Sequence, residues 1–268
     1  MQPRAGLPLA GVRVRPTYFL SDLHLRHPDD ARTQRALAFL RARAGEAEAV
    51  YLVGDVFDLW LGYRSAIFSA YFPVLRALAD LVDAGTRVVL FPGNHDPDTG
   101  LFLSEHLGVS VAAEPHRITL GGRSVWLEHG DVHDPRAPWR RAVNRFARHP
   151  TVHRFARAVH PDLVWAAARV YGDALRGAKG YHGLPPGLLA SFFPERVAQG
   201  ADVVIIGHYH RAVSHEAELH GRRAEFYVLG DWVEHHTFLR WSGAFELFRD
   251  HGPDQPPEAL PRGDHAPP

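Results

Sequence analysis

Short apolar runs, rich in β-branched and aromatic residues, recur along the chain, and each stops abruptly at a polar cluster. Thr17–Leu20 stops at Ser21-Asp22-Leu23-His24, and Ala49–Val53 at Gly54-Asp55. Val88–Phe91 stops at Pro92-Gly93-Asn94-His95-Asp96, Val125–Leu127 at Glu128-His129-Gly130-Asp131, and Val203–Ile206 at Gly207-His208-Tyr209-His210. Continuous apolar runs of this length predict strands buried on both faces. Between them, Ala31–Ala44 and Ile67–Val82 carry apolar residues at helical spacing, among them Leu37, Phe39 and Leu40 in the first and Leu75, Leu78 and Leu81 in the second. Strands alternating with helices predict an α/β layered fold. In such folds ligands sit beyond the carboxyl ends of the strands, where every one of these polar clusters falls.

From about 134 to 185 the strand pattern ceases, and Phe146, Val152, Phe155, Val159, Val164 and Val170 recur at roughly helical spacing among arginines. This predicts a basic helical insert between two strands of one domain spanning residues 1–250. Ala212–Leu219, Glu225–Leu229 and Ala244–Phe248 follow as β-rich stretches. The proline-rich tail at 251–268 holds little apolar material and is expected to be disordered.

Composition narrows the chemistry. Lys+Arg and Asp+Glu balance at 30 each among 268 residues, so no net field draws nucleic acid. The absence of cysteine excludes disulfides, thiolate metal sites and a Cys nucleophile. No run approaches the roughly 20 apolar residues of a spanning helix. The start lacks a signal-type apolar region, which points to a cytoplasmic protein. Nineteen histidines are many for this length. A lone Asp or His after a strand is an ordinary cap or loop residue, but five successive clusters of carboxylate, imidazole and amide form a set. That oxygen and nitrogen mix suits Mn²⁺, Fe or Co²⁺, and it is numerous enough for two divalent metals.

The ordered blocks Asp22-x-His24, Gly54-Asp55, Gly93-Asn94-His95-Asp96, His129-Gly130 and Gly207-His208-x-His210 resemble the calcineurin-like metallophosphoesterase superfamily. The resemblance implies a four-layer α/β/β/α sandwich with a dinuclear site at the strand ends. It assigns one metal to Asp22, His24, Asp55 and His210, and the other to Asp55, Asn94, His129 and His208, with Asp55 shared. Mn²⁺ is the first expectation. The same resemblance places His95 at the leaving group, with Asp96 orienting its ring.

A finer resemblance rests on Gly54-Asp55-Val56-Phe57-Asp58-Leu59-Trp60-Leu61-Gly62, the basic insert and Leu229-Gly230-Asp231-Trp232. These are similar to UDP-2,3-diacylglucosamine pyrophosphohydrolases of lipid A synthesis, which release UMP and an acylated sugar 1-phosphate. His95 and Tyr209 depart from the Arg and Thr that well-studied members carry at those places. The resemblance implies that the insert acts as a lid, with Arg140, Arg141, Arg145 and Arg148 on the substrate's phosphates. It also implies peripheral contact with the cytoplasmic face of the inner membrane, and no nucleic acid partner. Other readings of the same residues are a phosphoesterase for a small diester or monoester, a nuclease, and a metal-binding scaffold without catalysis.

Overall fold

The computed structural model describes residues 14–63, 66–97, 99, 101–113, 115–133, 149–166 and 184–265. The five apolar runs are strands: β1 (Thr17–Leu20), β2 (Ala49–Val53), β3 (Arg87–Phe91), β6 (Arg123–Glu128) and β7 (Val203–Ile206). Every residue of β1, β2 and β7 is buried, as their unbroken apolar sequence demands. Two short strands, β4 (Ser110–Val111) and β5 (His116–Leu120), precede β6. After β7 come β8 (Ala212–Leu219), β9 (Arg222–Leu229), β10 (Thr237–Trp241) and β11 (Phe245–Arg249).

The tail corrects the expectation of disorder. Glu258–Ala259 (β12) pairs antiparallel with β11, and Gly263–His265 (β13) pairs antiparallel with β8. Edge strands offer open backbone hydrogen-bonding groups, so a segment needs little apolar content to add there.

The strands form a seven-stranded sheet ordered β12-β11-β10-β1-β2-β3-β4 and a six-stranded sheet ordered β13-β8-β9-β7-β6-β5. Phe19, Tyr51, Val53 and Phe91 of the first meet Val125, Leu127, Ile205 and Tyr227 of the second in a shared core. Helices α1 (Ala31–Arg43) and α2 (Phe72–Asp83) cover the outer face of the first sheet through Leu37, Leu40, Leu75 and Leu78. Leu188, Phe192, Phe193 and Val197 cover the outer face of the second. The result is the expected four-layer sandwich of two mixed sheets flanked by helices.

Local sequence explains the helix limits. The Asp30 side chain accepts a hydrogen bond from the Arg32 amide at the start of α1, and Arg41 and Arg43 close its last turn, where cations suit the dipole. The second helix starts later than its apolar pattern predicts. Pro73 sits in the first turn of α2, and Ser69–Tyr71 forms a separate 3₁₀ turn before it. Between β6 and β7 the described part of the insert contains the helix Pro150–Ala158. Trp165 stacks on Phe68 with ring centroids 4.3 Å apart, so this part leans on the segment preceding α2. Among the described residues, no helix is long and apolar enough to cross a membrane.

Candidate metal centre

The parallel strands β1, β2, β3, β6, β7 and β9 deliver their carboxyl-end loops to one place, and backbone hydrogen bonds stitch those loops together. The Asp22 amide donates to the Gly54 carbonyl and the His24 amide to the Asp55 carbonyl. The Gly207 amide donates to the His129 carbonyl within the six-stranded sheet, and the Trp232 amide donates to the Asp22 carbonyl, joining the two sheets. Two glycines permit the close approach. A Cβ on Gly54 would overlap the His129 ring, and one on Gly93 would overlap the Asp55 carboxylate.

Among the described residues three groups of ligand-type side chains form, one of them His24, Asp58 and His95 and the other two holding the expected ligands. Of those two, Asp22, His24 and His210 form one, and Asp55, His129 and His208 the other; within each, the ligand atoms lie within 4.8 Å of one another. Asp55 Oδ2 is 3.4 Å from His129 Nε2 in its own group and 3.8 Å from His24 Nε2 in the other. Asn94 Oδ1 lies 3.4 Å from His129 Nε2. All seven residues expected to hold metal are therefore gathered here.

Five of them, Asp22, His24, Asp55, His208 and His210, hold left-handed backbone with φ between 46° and 69°. That conformation costs on the order of 1–3 kcal/mol at a non-glycine residue and concentrates at functional sites. Surrounding contacts hold it in place: Asp22 Oδ2 accepts from the His208 amide at 2.8 Å, and Asp55 Oδ1 from the His95 amide at 2.8 Å.

The ring orientations follow from fixed acceptors. His129 Nδ1 lies 3.0 Å from the Val53 carbonyl oxygen, and His210 Nδ1 lies 3.0 Å from Asp231 Oδ2. A carbonyl and an ionised carboxylate only accept, so Nδ1 carries the proton and the Nε2 lone pair faces inward. His210 Nε2 then lies 3.2 Å from His24 Nε2 and 3.4 Å from Asp22 Oδ1, which is buried without a hydrogen-bond partner among the described residues. Two acceptors 3.4 Å apart, His210 Nε2 and Asp22 Oδ1, repel unless a positive charge lies beside them. The donor set fits divalent metal.

The electrostatics agree. Burial disfavours a charge on His129, but the carboxylates of Asp55, Asp22 and Asp131 outweigh it and raise its pKa well above the usual value. Burial opposes His210 in the same way, and Asp22 and Asp231 overcome it. Burial also resists ionisation of Asp55, yet His129, His95 and His24 hold its carboxyl well below the ordinary range. At His24 burial prevails over Asp58 and Asp55, so its pKa is lowered.

His95 lies at the edge of the first group, its ring 4.6 Å from that of His24 and nearly perpendicular to it. Its ring is oriented by the Asp58 main-chain carbonyl, 3.0 Å from Nδ1, and not by Asp96 as expected. Fully buried Asp96 accepts instead from the amides of Gly93, Asp55, Val56 and Phe57 at 2.7–3.2 Å. Burial and the neighbouring Asp55 charge push its pKa up to about 6, against those hydrogen bonds. Two carboxylates were missed by the sequence reading: Asp58, grouped with His24 and His95, and Asp231, beside His210. Both stand in the motifs that carry the finer resemblance, Gly54–Gly62 and Leu229–Trp232, but neither is assigned a role there. Arg140, Arg141, Arg145 and Arg148 lie outside the described residues.

Comparison with known proteins gives the family. The calcineurin-like phosphoesterase family matches residues 15–212. A UDP-2,3-diacylglucosamine hydrolase of Azotobacter vinelandii is 34% identical over 235 residues, covering 85% of this chain and 95% of the relative. One of Porphyromonas gingivalis is 30% identical over 251 residues, covering 84% and 94%. Among solved structures, Yfce, a phosphoesterase from E. coli, is 18% identical with a TM-score of 0.45, covering 90% of this chain and 96% of that one. From the family match over most of its length and a donor set that suits divalent metal, the chain belongs to the calcineurin-like phosphoesterase family and is a metal-dependent hydrolase.

Proposed function

We propose that the chain hydrolyses the pyrophosphate bond of UDP-2,3-diacylglucosamine, releasing UMP and the acylated sugar 1-phosphate on the cytoplasmic side of the inner membrane. The observation that carries this reading is similarity to curated UDP-2,3-diacylglucosamine hydrolases along 84–85% of the chain, at 30–34% identity. In it, Asp22, His24, Asp55 and His210 hold one divalent metal, and Asp55, Asn94, His129 and His208 the other, with Mn²⁺ the first expectation. The position of Asp55 Oδ2 within 3.8 Å of an imidazole from each group supports a bridging role.

When bound, two divalent cations supply Lewis acidity at the phosphoryl group and make water nucleophilic at neutral pH. The residues do the rest. Nδ1–H of His129 and His210 is committed to fixed acceptors, so each ring keeps its lone pair on the metal side through turnover. His95 Nδ1–H is committed to the Asp58 carbonyl, which leaves Nε2 to exchange a proton with the departing oxygen. Arg140, Arg141, Arg145 and Arg148 bind the diphosphate in this reading, as guanidinium groups do bidentately. Phe155, Val159 and Leu163, exposed by 72%, 45% and 65%, give the described part of the insert an apolar surface suited to lipid contact.

Purified protein with Mn²⁺, offered UDP-2,3-diacylglucosamine, bis(p-nitrophenyl) phosphate and single-stranded DNA, tests the proposal. The acylated UDP-sugar is expected to be cleaved to UMP with the highest kcat/KM. Cleavage of only the simple diester, or of DNA, would overturn the substrate assignment.

A further inference from the structure

The loop after β1 does not leave the sheet at once. Leu25 bridges Phe57 in parallel, the Leu25 amide donates to the Val56 carbonyl, and the Asp58 amide donates to the Leu25 carbonyl. This extra rung continues the β1–β2 pairing beyond the strand ends. It brings His24 and Arg26 up to the side chain of Asp58. The contacts follow from that register. Arg26 Nη2 donates to Asp58 Oδ1 at 3.1 Å, and its Nε lies 2.8 Å from Oδ2 as an ion pair. A charge-assisted hydrogen bond backed by an ion pair holds the carboxylate in place. Oδ1 then stands 3.7 Å from His24 Nδ1, on the edge of the ring opposite the nitrogen that faces Asp22 and Asp55. The main-chain carbonyl of the same residue lies 3.0 Å from His95 Nδ1.

One residue thus touches both His24 and His95 while belonging to neither proposed metal set. We propose that Asp58 is a positioning residue of the hydrolysis: held by Arg26, it sets the ring of His24 toward the metal and shares with His95 a single rigid rung. The carboxylate attracts the Nδ1 proton of His24, which turns the Nε2 lone pair inward and makes it a stronger donor. Partners of this type behind a ligating imidazole are worth about 10–100-fold in metal affinity or activity. The inference rests on the two-metal reading above, but not on the identity of the substrate.

The test is calorimetric titration of metal-stripped protein with Mn²⁺, together with turnover of bis(p-nitrophenyl) phosphate at saturating Mn²⁺. Asp58→Asn keeps the size and an acceptor oxygen but removes the charge. Arg26→Met keeps Asp58 and removes its clamp. The expected result for Asp58→Asn is a weakening of one Mn²⁺ by about 10–100-fold, with the other little changed, and a lower kcat at unchanged KM. Arg26→Met is expected to shift the same Mn²⁺ by a smaller factor, with an unchanged melting temperature in the metal-free state. That pattern separates positioning from a merely structural role, which would lower the melting temperature and leave the two Mn²⁺ affinities in their original ratio. Wild-type Mn²⁺ affinities and kcat in folded Asp58→Asn would overturn the role of Asp58. Failure of the wild-type chain to bind a second Mn²⁺ would instead overturn the two-metal reading. Should Asp58→Asn not fold, wild-type Mn²⁺ affinities in Arg26→Met would overturn the clamp.

Discussion

The Asp231 carboxylate holds the far side of the His210 ring, with Oδ2 3.0 Å from Nδ1. Its other oxygen accepts from the amides of Val233, Glu234 and His235 at 2.8–3.0 Å, so the carboxylate has no freedom to follow the ring. Burial opposes its charge, but the hydrogen bond from His210 and the nearby His235 imidazole outweigh burial and drive its pKa far below the usual carboxylate range. Asp231 therefore stands as a fixed anion behind an imidazole in the metal centre, although it lies 21 residues away in sequence.

Substituting Asp231→Asn keeps the three amide hydrogen bonds within reach of an oxygen but weakens the grip on His210. Metal affinity or turnover is expected to fall by about 10–100-fold with little loss of fold. Asp231→Ala also strips the amides of their acceptor, at about 1–3 kcal/mol for a buried group left unsatisfied, and should melt earlier. Metal titration and thermal unfolding of the two variants, side by side, check this.

Asp96 is predicted to act through the fold. Its carboxylate gathers amides from the loops after β2 and β3, including that of Asp55 itself. Asp96→Ala should lower the melting temperature of the metal-free protein through the orphaned amides, again on the order of 1–3 kcal/mol per unsatisfied group. Thermal unfolding without metal checks it; an unchanged melting temperature with lost turnover would restore a direct catalytic role.

His95 is predicted to serve the leaving group. His95→Ala leaves both ligand groups intact, so bound metal should stay unchanged while kcat falls by roughly 10²–10⁴. The loss should shrink for esters of good leaving groups such as nitrophenolate. Comparison of a nitrophenyl diester with an alkyl one checks this, and equal losses would leave electrostatic stabilisation as the role of His95.

Much of the architecture was legible because β1, β2, β3 and β7 are buried on nearly every position and write that burial as unbroken apolar runs. Strands that lean on neighbours were not. β4 has only two residues, and β5 alternates half-buried with exposed positions. β12 and β13 gain their order from the edges of β11 and β8, a tertiary effect absent from local sequence. The seven proposed ligands were legible because each follows a strand end in a repeated pattern. The roles of Asp58 and Asp231 were not, although both stand in motifs that carry the finer resemblance, since their partners lie across the fold. Asp96 shows the reverse error: it neighbours His95 in sequence, but the fold turns its carboxylate toward backbone amides.

A pair of metals sharing Asp55 would meet at its Oδ2, which lies 3.4 Å from His129 Nε2 and 3.8 Å from His24 Nε2. Elemental analysis of metal per chain, on wild type and on Asp55→Asn loaded in parallel, tests it most directly. Two divalent ions per wild-type chain are expected, with metal content and turnover collapsing together in Asp55→Asn. One ion in the wild type, or near-normal metal occupancy in Asp55→Asn, would contradict it.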